Sequence, residues 1–295
     1  MTIYVEKIAE RVLGRKLERV QLLNPFLLRS VGTPPSALAG RTVVDVSRYG
    51  KRIVLKFGEP GPLLAIHLMI SGRFLWSEPE KKPIAGKIVH GHFIFESGTL
   101  TLTEASSKKR ATLHVLDDED QLIPLQALGV EPLTASPQEL RATLTKENRT
   151  LKRALTMASH FSGIGNAYSD EILFHAKLSP VRLTQSLSPE ELDRLVEAIP
   201  ATLKAATDHL REHFSGRFPG KGEVTAFRPE FAVHGKFGQP CPVCGHPVQQ
   251  IVYAENQTNY CASCQNEGRL LADRSLSRLL KQDWPKTLEQ MVGDG

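Results

Sequence analysis

All four cysteines of this 295-residue chain fall between residues 241 and 264, and that crowding constrains the fold more than any other feature. Cys241-Pro-Val-Cys244 and Cys261-Ala-Ser-Cys264 form two C-x2-C pairs, separated by residues 245–260. Each pair sets two thiolates on one knuckle, and a hairpin between them brings four sulfurs to the corners of a tetrahedron. The spacing points to one structural Zn2+ rather than to scattered disulfides, with redox use or iron as the alternatives. Four protein ligands leave no open position, so the ion folds the segment and does no chemistry. Zinc binding in such modules is worth on the order of 10 kcal/mol, and the hairpin is expected to melt without it.

Upstream of this module the periodicity changes twice. Val5, Ile8, Ala9, Val12 and Leu13 form a helical stripe, with Thr2 as the expected N-cap and Gly14 as the stop. From about 16 to 116 the pattern is that of strands. Val44 and Val46 alternate before Tyr49-Gly50, and Ile53, Leu55 and Phe57 alternate after it. Residues 63–70 read as one buried strand closed by Ser71-Gly72, and Phe93 and Phe95 face Leu100 and Leu102 across a hairpin. The fold class is therefore α+β, an initial helix on a β-sandwich over 1–116. An acidic, Pro-containing linker follows over 117–137. Residues 138–230 form a helical domain, started at Ser188-Pro189 for its later part and ending in a Gly- and Pro-rich loop, 215–230, expected to be mobile. The cysteine module occupies 231–265, and an amphipathic tail with Leu276, Leu279, Leu280 and Trp284 fills 266–295.

The segment from Phe161 to Phe174 carries the strongest functional signal. Gly163, Gly165 and Asn166 stand directly before an apolar-periodic run. That makes a tight turn feeding a helix whose first amides are unpaired, a ready site for an anion. Asn166 is the expected N-cap, and Asp170 and Glu171 suit the early helix. Leu151–Leu155 reads as a second short helix, so the unit is helix, turn, helix. The net charge of +5 suits a polyanionic partner. No apolar run approaches membrane-spanning length and no secretory leader is visible, so the expected location is the cytoplasm; a monomer is expected separately.

The run G-I-G-N-x-Y-x-D-E-I-L-F resembles the helix–two-turn–helix of the formamidopyrimidine/endonuclease VIII family of DNA glycosylases, where the turn grips the phosphates flanking a damaged base. Tyr49-Gly-Lys51, His67-Leu-Met-Ile-Ser-Gly72, Leu128-Gly-Val-Glu-Pro-Leu133 and the cysteine module look like further segments of that family, in the same order. The resemblance runs from about residue 2 to 265. It implies excision of oxidised bases from damaged double-stranded DNA, followed by lyase cleavage of the abasic site. DNA would lie in a cleft between two domains, contacted by Lys51, His67, Lys152, Gly163, Gly165, Asn166 and Asn256, with the loop 215–230 over the flipped base. Ile70 stands where the family has an inserted methionine. The loop Ser106-Ser-Lys108-Lys109-Arg110 stands where it has an arginine and a phenylalanine, basic but without the aromatic. Asn256 replaces an arginine of the zinc hairpin and lacks its charged fork.

The family's mature chain begins Pro-Glu, and the proline amine attacks the sugar C1′. An amine must be unprotonated to attack, and an α-amino group titrating near ~8 is close to that state. Here the chain reads Met1-Thr-Ile-Tyr. The favoured expectation is a start codon placed downstream of the true one. The alternatives are a damage-binding relative without chemistry, or another amine in the role, Lys51 first and the amine of Met1 or Thr2 second. A module gripping RNA phosphates is a further rival.

Overall fold

The structure is a computed structural model that describes residues 1–224, 228–253, 256–272, 286–288 and 290. It divides into two compact units. The first gathers Met1–Ala127 with the described residues from Thr207 to Val224, and the second takes Leu128–Ala206 with those from 228 onward.

In the first unit α1 (Thr2–Val12) buries Ile3, Tyr4, Ile8 and Val12. Thr2 lies inside this helix and Met1 is the cap residue, without a side-chain cap, so the expected cap is displaced by one position. Eight strands follow: β1 (Leu17–Leu22), β2 (Val43–Tyr49), β3 (Arg52–Phe57), β4 (Leu63–His67), β5 (Gly72–Ser77), β6 (Val89–Phe95), β7 (Gly98–Glu104) and β8 (Thr112–Leu116). They form two antiparallel sheets ordered β1-β6-β7-β5 and β2-β3-β4-β8. Their inner faces supply one core, in which Ile53, Leu55 and Phe57 of β3 meet Phe74, Phe93, Leu100 and Leu102. Two strand expectations need correction. A bulge between Val43 and Asp45 turns Val44 outward, so Val43 and Val46 are the buried pair of β2. β4 ends at His67 rather than running to Ile70, because Met69 takes a positive φ and turns the chain.

The acidic segment is not a bare linker. Its 3-10 helix Glu119–Leu125 is capped by Asp118, and it lays Leu122 on Val54, Leu63, Ala65 and Leu116. That cover explains why β4 reads as a continuous apolar run, and why Val54 is apolar on the outward side of the otherwise alternating β3. Residues 207–224 were expected with the helical domain but belong to the first unit. Arg211 pairs with Glu6 at 2.7 Å, and the Phe218 ring lies 5.9 Å from Tyr4 and 6.4 Å from Trp76.

In the second unit α2 (Pro137–Thr145) starts at a capping box of Ser136 and Glu139, with proline at its first turn. α3 (Leu151–Thr156), α4 (Asn166–His175) and α5 (Pro189–His213) follow, α5 contributing to both units. Leu151, Leu155, Phe161, Ile172, Leu173, Leu195 and Ile199 form the core of these helices. Gly129 lies against Ser159 and His160, where a Cβ would sit 2.0 Å from the His160 carbonyl oxygen, and Val130 bridges to Phe161. β9 (Gln249–Tyr253) and β10 (Asn256–Tyr260) pair antiparallel, and α6 (Ala262–Asn266) closes the module. The expected tail residues Leu276, Leu279, Leu280 and Trp284 lie outside the described residues. Among the described residues no helix is long and apolar enough to cross a membrane.

Candidate nucleic-acid interface and metal centre

Gly163 takes φ +82°, which only glycine adopts without strain, and this lets the chain reverse between α3 and α4. Gly165 is the N-cap of α4, in extended conformation and without a side-chain cap. The expectation for Asn166 is corrected here. It occupies the first helical position, and its side-chain Nδ2 donates to the Gln257 carbonyl of β10 at 2.8 Å. No cap side chain covers the leading amides of α4, so they keep their capacity for an anion.

One turn further on, α4 buries two carboxylates. Asp170 accepts Lys152 Nζ at 2.6 Å on one oxygen, and His234 Nδ1 at 2.7 Å and the Asn259 amide at 3.1 Å on the other. Glu171 accepts the backbone amides of Ala232, Val233 and His234 at 2.8, 3.0 and 2.8 Å. A buried carboxylate is tolerable only with such donors, and charge-assisted bonds to backbone amides are among the stronger ones. Lys152 also donates to the Asn166 carbonyl at 2.7 Å. Burial pushes the Lys152 pKa down, against the opposing pull of Asp170. Lys152 thus braces the turn from within. In the sequence Asp170 and Glu171 read only as acids suited to the helix dipole, and their partners His234 and Asn259 lie more than sixty residues away. The available signal was two adjacent acids inside an otherwise apolar helical run.

The four cysteine sulfurs all lie within 4.8 Å of one another. Cys241 and Cys264 are 3.9 Å apart, Cys244 and Cys261 3.4 Å. A tetrahedron with 2.3 Å metal–sulfur bonds has edges of about 3.8 Å, so the quartet is gathered closely enough to hold one metal ion after small side-chain shifts. The Cys264 amide donates to Cys261 Sγ at 3.4 Å, a knuckle contact that favours a thiolate. Val233, Val248 and Phe174 pack around the sulfurs and tie the module to α4. Asn256 begins β10, opposite Tyr253 at the end of the hairpin.

The remaining expected residues lie in the first unit. Lys51 follows Gly50 (φ +62°) in the β2–β3 turn, and burial lowers its pKa. Among the described residues it has no hydrogen-bond or ion-pair partner. His67 ends β4, and its Nδ1 accepts the Met69 amide at 2.9 Å, which puts the ring proton on Nε2. Burial, with the positive charges of Arg52 and Lys51 nearby, lowers its pKa to about 4, so the ring is neutral at pH 7. Arg52 is held by Gln126 Oε1 at 2.9 Å and the Leu125 carbonyl. Ile70 is 68% exposed at the tip of the β4–β5 turn. In the loop after β7, Lys109 Nζ donates to the Glu104 carbonyl at 2.9 Å, and the Lys108 amide bonds Ser106 Oγ. Arg110 contributes its backbone amide to the Glu104 carboxylate.

Three family models match successive parts of the chain: the formamidopyrimidine-DNA glycosylase N-terminal domain over residues 1–112, that enzyme's H2TH domain over 128–214, and the zinc finger found in FPG and IleRS over 238–266. The formamidopyrimidine-DNA glycosylase of Symbiobacterium thermophilum is 33% identical over 281 residues, covering 90% of this chain and 88% of its own. Among solved structures, the complex between Lactococcus lactis Fpg and DNA containing an abasic site superposes with a TM-score of 0.77 at 25% identity, over 90% of this chain and 97% of that one. The MutM (Fpg) protein of Thermus thermophilus gives 0.73 at 30% identity, over 90% and 98%. With its three domains matched in order and its relatives covered nearly end to end, the chain belongs to the formamidopyrimidine-DNA glycosylase family of base-excision-repair enzymes.

Proposed function

We propose that the chain excises oxidised bases from duplex DNA and cleaves the abasic site that results. One observation carries most of the reading: the open N-terminus of α4 is locked to the zinc hairpin through Asn166 and Gln257. Such a turn and such a hairpin, held as one body, suit two successive phosphates of a bent strand better than a loose pair of loops would. The enzyme must take the target nucleotide out of the stack, at a cost of a few kcal/mol, before its sugar carbon can be reached.

The residue roles follow the same chemistry. Gly163 and Gly165 shape the phosphate turn, Asn166 orients it, and Lys152 braces it. Lys51 supplies a cation and neutral His67 an Nε2–H donor to the strand near the lesion; among the described residues Lys51 has no carboxylate partner, which supports this. Ile70 enters the space left by the flipped base, with Lys108, Lys109 and Arg110 beside it, and Asn256 lies at the tip of the zinc hairpin. Zn2+ held by Cys241, Cys244, Cys261 and Cys264 supplies structure only. The protein works as a monomer in the cytoplasm.

Lys51 is also a candidate for the covalent amine, and the two roles make opposite demands. A phosphate contact needs the ammonium, whereas a Schiff base needs the free amine that burial favours. We assign Lys51 the phosphate contact. Excision from duplexes with and without an oxidised base tests the function, and Asn166→Ala tests the site. Base release and strand scission at the lesion are expected. The variant should bind the lesion duplex about tenfold more weakly, because it loses the Asn166–Gln257 bond, worth about 1 kcal/mol, that holds the turn to the hairpin. Equal binding of damaged and intact duplex, with no release, would contradict the proposal.

A further inference from the structure

Glu104 ends β7 and is 1% exposed, a carboxylate buried within the first unit. Its carboxylate accepts three donors from two different loops. Ser71 Oγ reaches Oε1 at 3.3 Å from the β4–β5 turn. The Arg110 amide reaches Oε1 at 2.9 Å and the Ala111 amide reaches Oε2 at 3.2 Å, both from the basic loop. The Lys109 ammonium closes the loop on the backbone carbonyl of the same residue. A buried carboxylate bonded this way holds its donors more tightly than a neutral side chain could.

The turn that Glu104 holds is built to present one apolar tip. Met69 takes φ +53°, an uncommon conformation for a side-chain-bearing residue. The Gly72 amide closes back on the Leu68 carbonyl at 2.9 Å, and a Cβ on Gly72 would stand 2.3 Å from that oxygen. Arg73 then donates to the Ile70 carbonyl at 2.9 Å. Ile70 is left 68% exposed on a turn with little freedom, a strained and apolar feature that folding alone does not require.

We infer that Glu104 is a positioning residue that makes the Ile70 turn and the basic loop a single duplex-opening element. The inference rests on the base-excision reading above. In it, Ile70 enters the helix at a fixed height relative to Arg110 because one carboxylate sets both. A wedge that moves independently of its phosphate contacts would still bind DNA but would open it poorly.

The test uses the full chain and a duplex carrying a tetrahydrofuran abasic analogue opposite 2-aminopurine, whose fluorescence rises when the step is unstacked. Glu104→Gln keeps the shape but turns an amide toward the donors, and Ser71→Ala cuts only the link to the turn, so it serves if the first variant folds poorly. Both should bind within about threefold of the wild type, yet give less than about half its fluorescence rise at saturation. Ile70→Ala should lose a similar share, and adding Glu104→Gln to it should remove little more, as for residues acting as one unit. A full rise from Glu104→Gln and Ser71→Ala would overturn the inference, whatever their affinity or urea midpoint. Tight binding by the wild-type chain with no rise would instead overturn the base-opening reading beneath it.

Discussion

His67 illustrates how a single residue acquires its state from its surroundings. Its ring is partly buried beside Arg52 and Lys51, and its Nδ1 already accepts a backbone amide, so a second proton is unwelcome. The unfolded chain takes up that proton near 6.5, while the folded chain refuses it until about 4. The stability contributed by the neutral ring is therefore complete above 6.5 and is lost as pH falls toward 4. His90, His92 and His114 shift in the same direction, chiefly through burial. Urea unfolding between these pH values should show stability falling with acidification, and His67→Gln should flatten part of that fall. An unchanged slope in the variant would mean that the ring titrates normally. The motif that contains His67 was visible in the sequence; its neutrality was not, because that depends on cross-strand neighbours such as Arg52, fifteen residues away in the chain.

At the scale of elements, α4 is the organising piece of the second unit. Its Glu171 holds three consecutive amides of the segment that leads into the cysteine module. Glu171→Ala should cost about 2–4 kcal/mol in urea unfolding, since it strands several buried donors at once. A loss below about 0.5 kcal/mol would show that water replaces the carboxylate. The zinc hairpin is coupled to the same helix through Gln257 and Asn166. Chelation of the metal should melt the module and weaken binding to an abasic duplex, and restored Zn2+ should reverse both. Affinity that survives chelation would separate the hairpin from the phosphate grip. The helix–turn–helix and the cysteine spacing were legible because local pattern dictates them. The carboxylate clamp was not, because its partners Ala232–His234 and Asn259 are more than sixty residues away.

For the whole molecule, the order of elements was readable throughout: a helix, strands, helices, then a metal hairpin. The assignment of residues 207–224 was not, since nothing in their composition announces that Phe218 packs with Tyr4 and Trp76. The same holds for Leu122, whose cover over the outer sheet face turned an apparent linker into part of the first unit. What the sequence lacks in its own motifs is the identity of the covalent amine, and a direct measurement supplies it. Borohydride trapping on duplexes bearing an abasic site or an oxidised base, followed by peptide mapping, is the most direct test of the enzyme reading. The expected result is a covalent adduct with damaged duplex, none with intact duplex, and an adduct that persists in Lys51→Ala while affinity falls. No adduct, together with equal affinity for damaged and intact DNA, would contradict it.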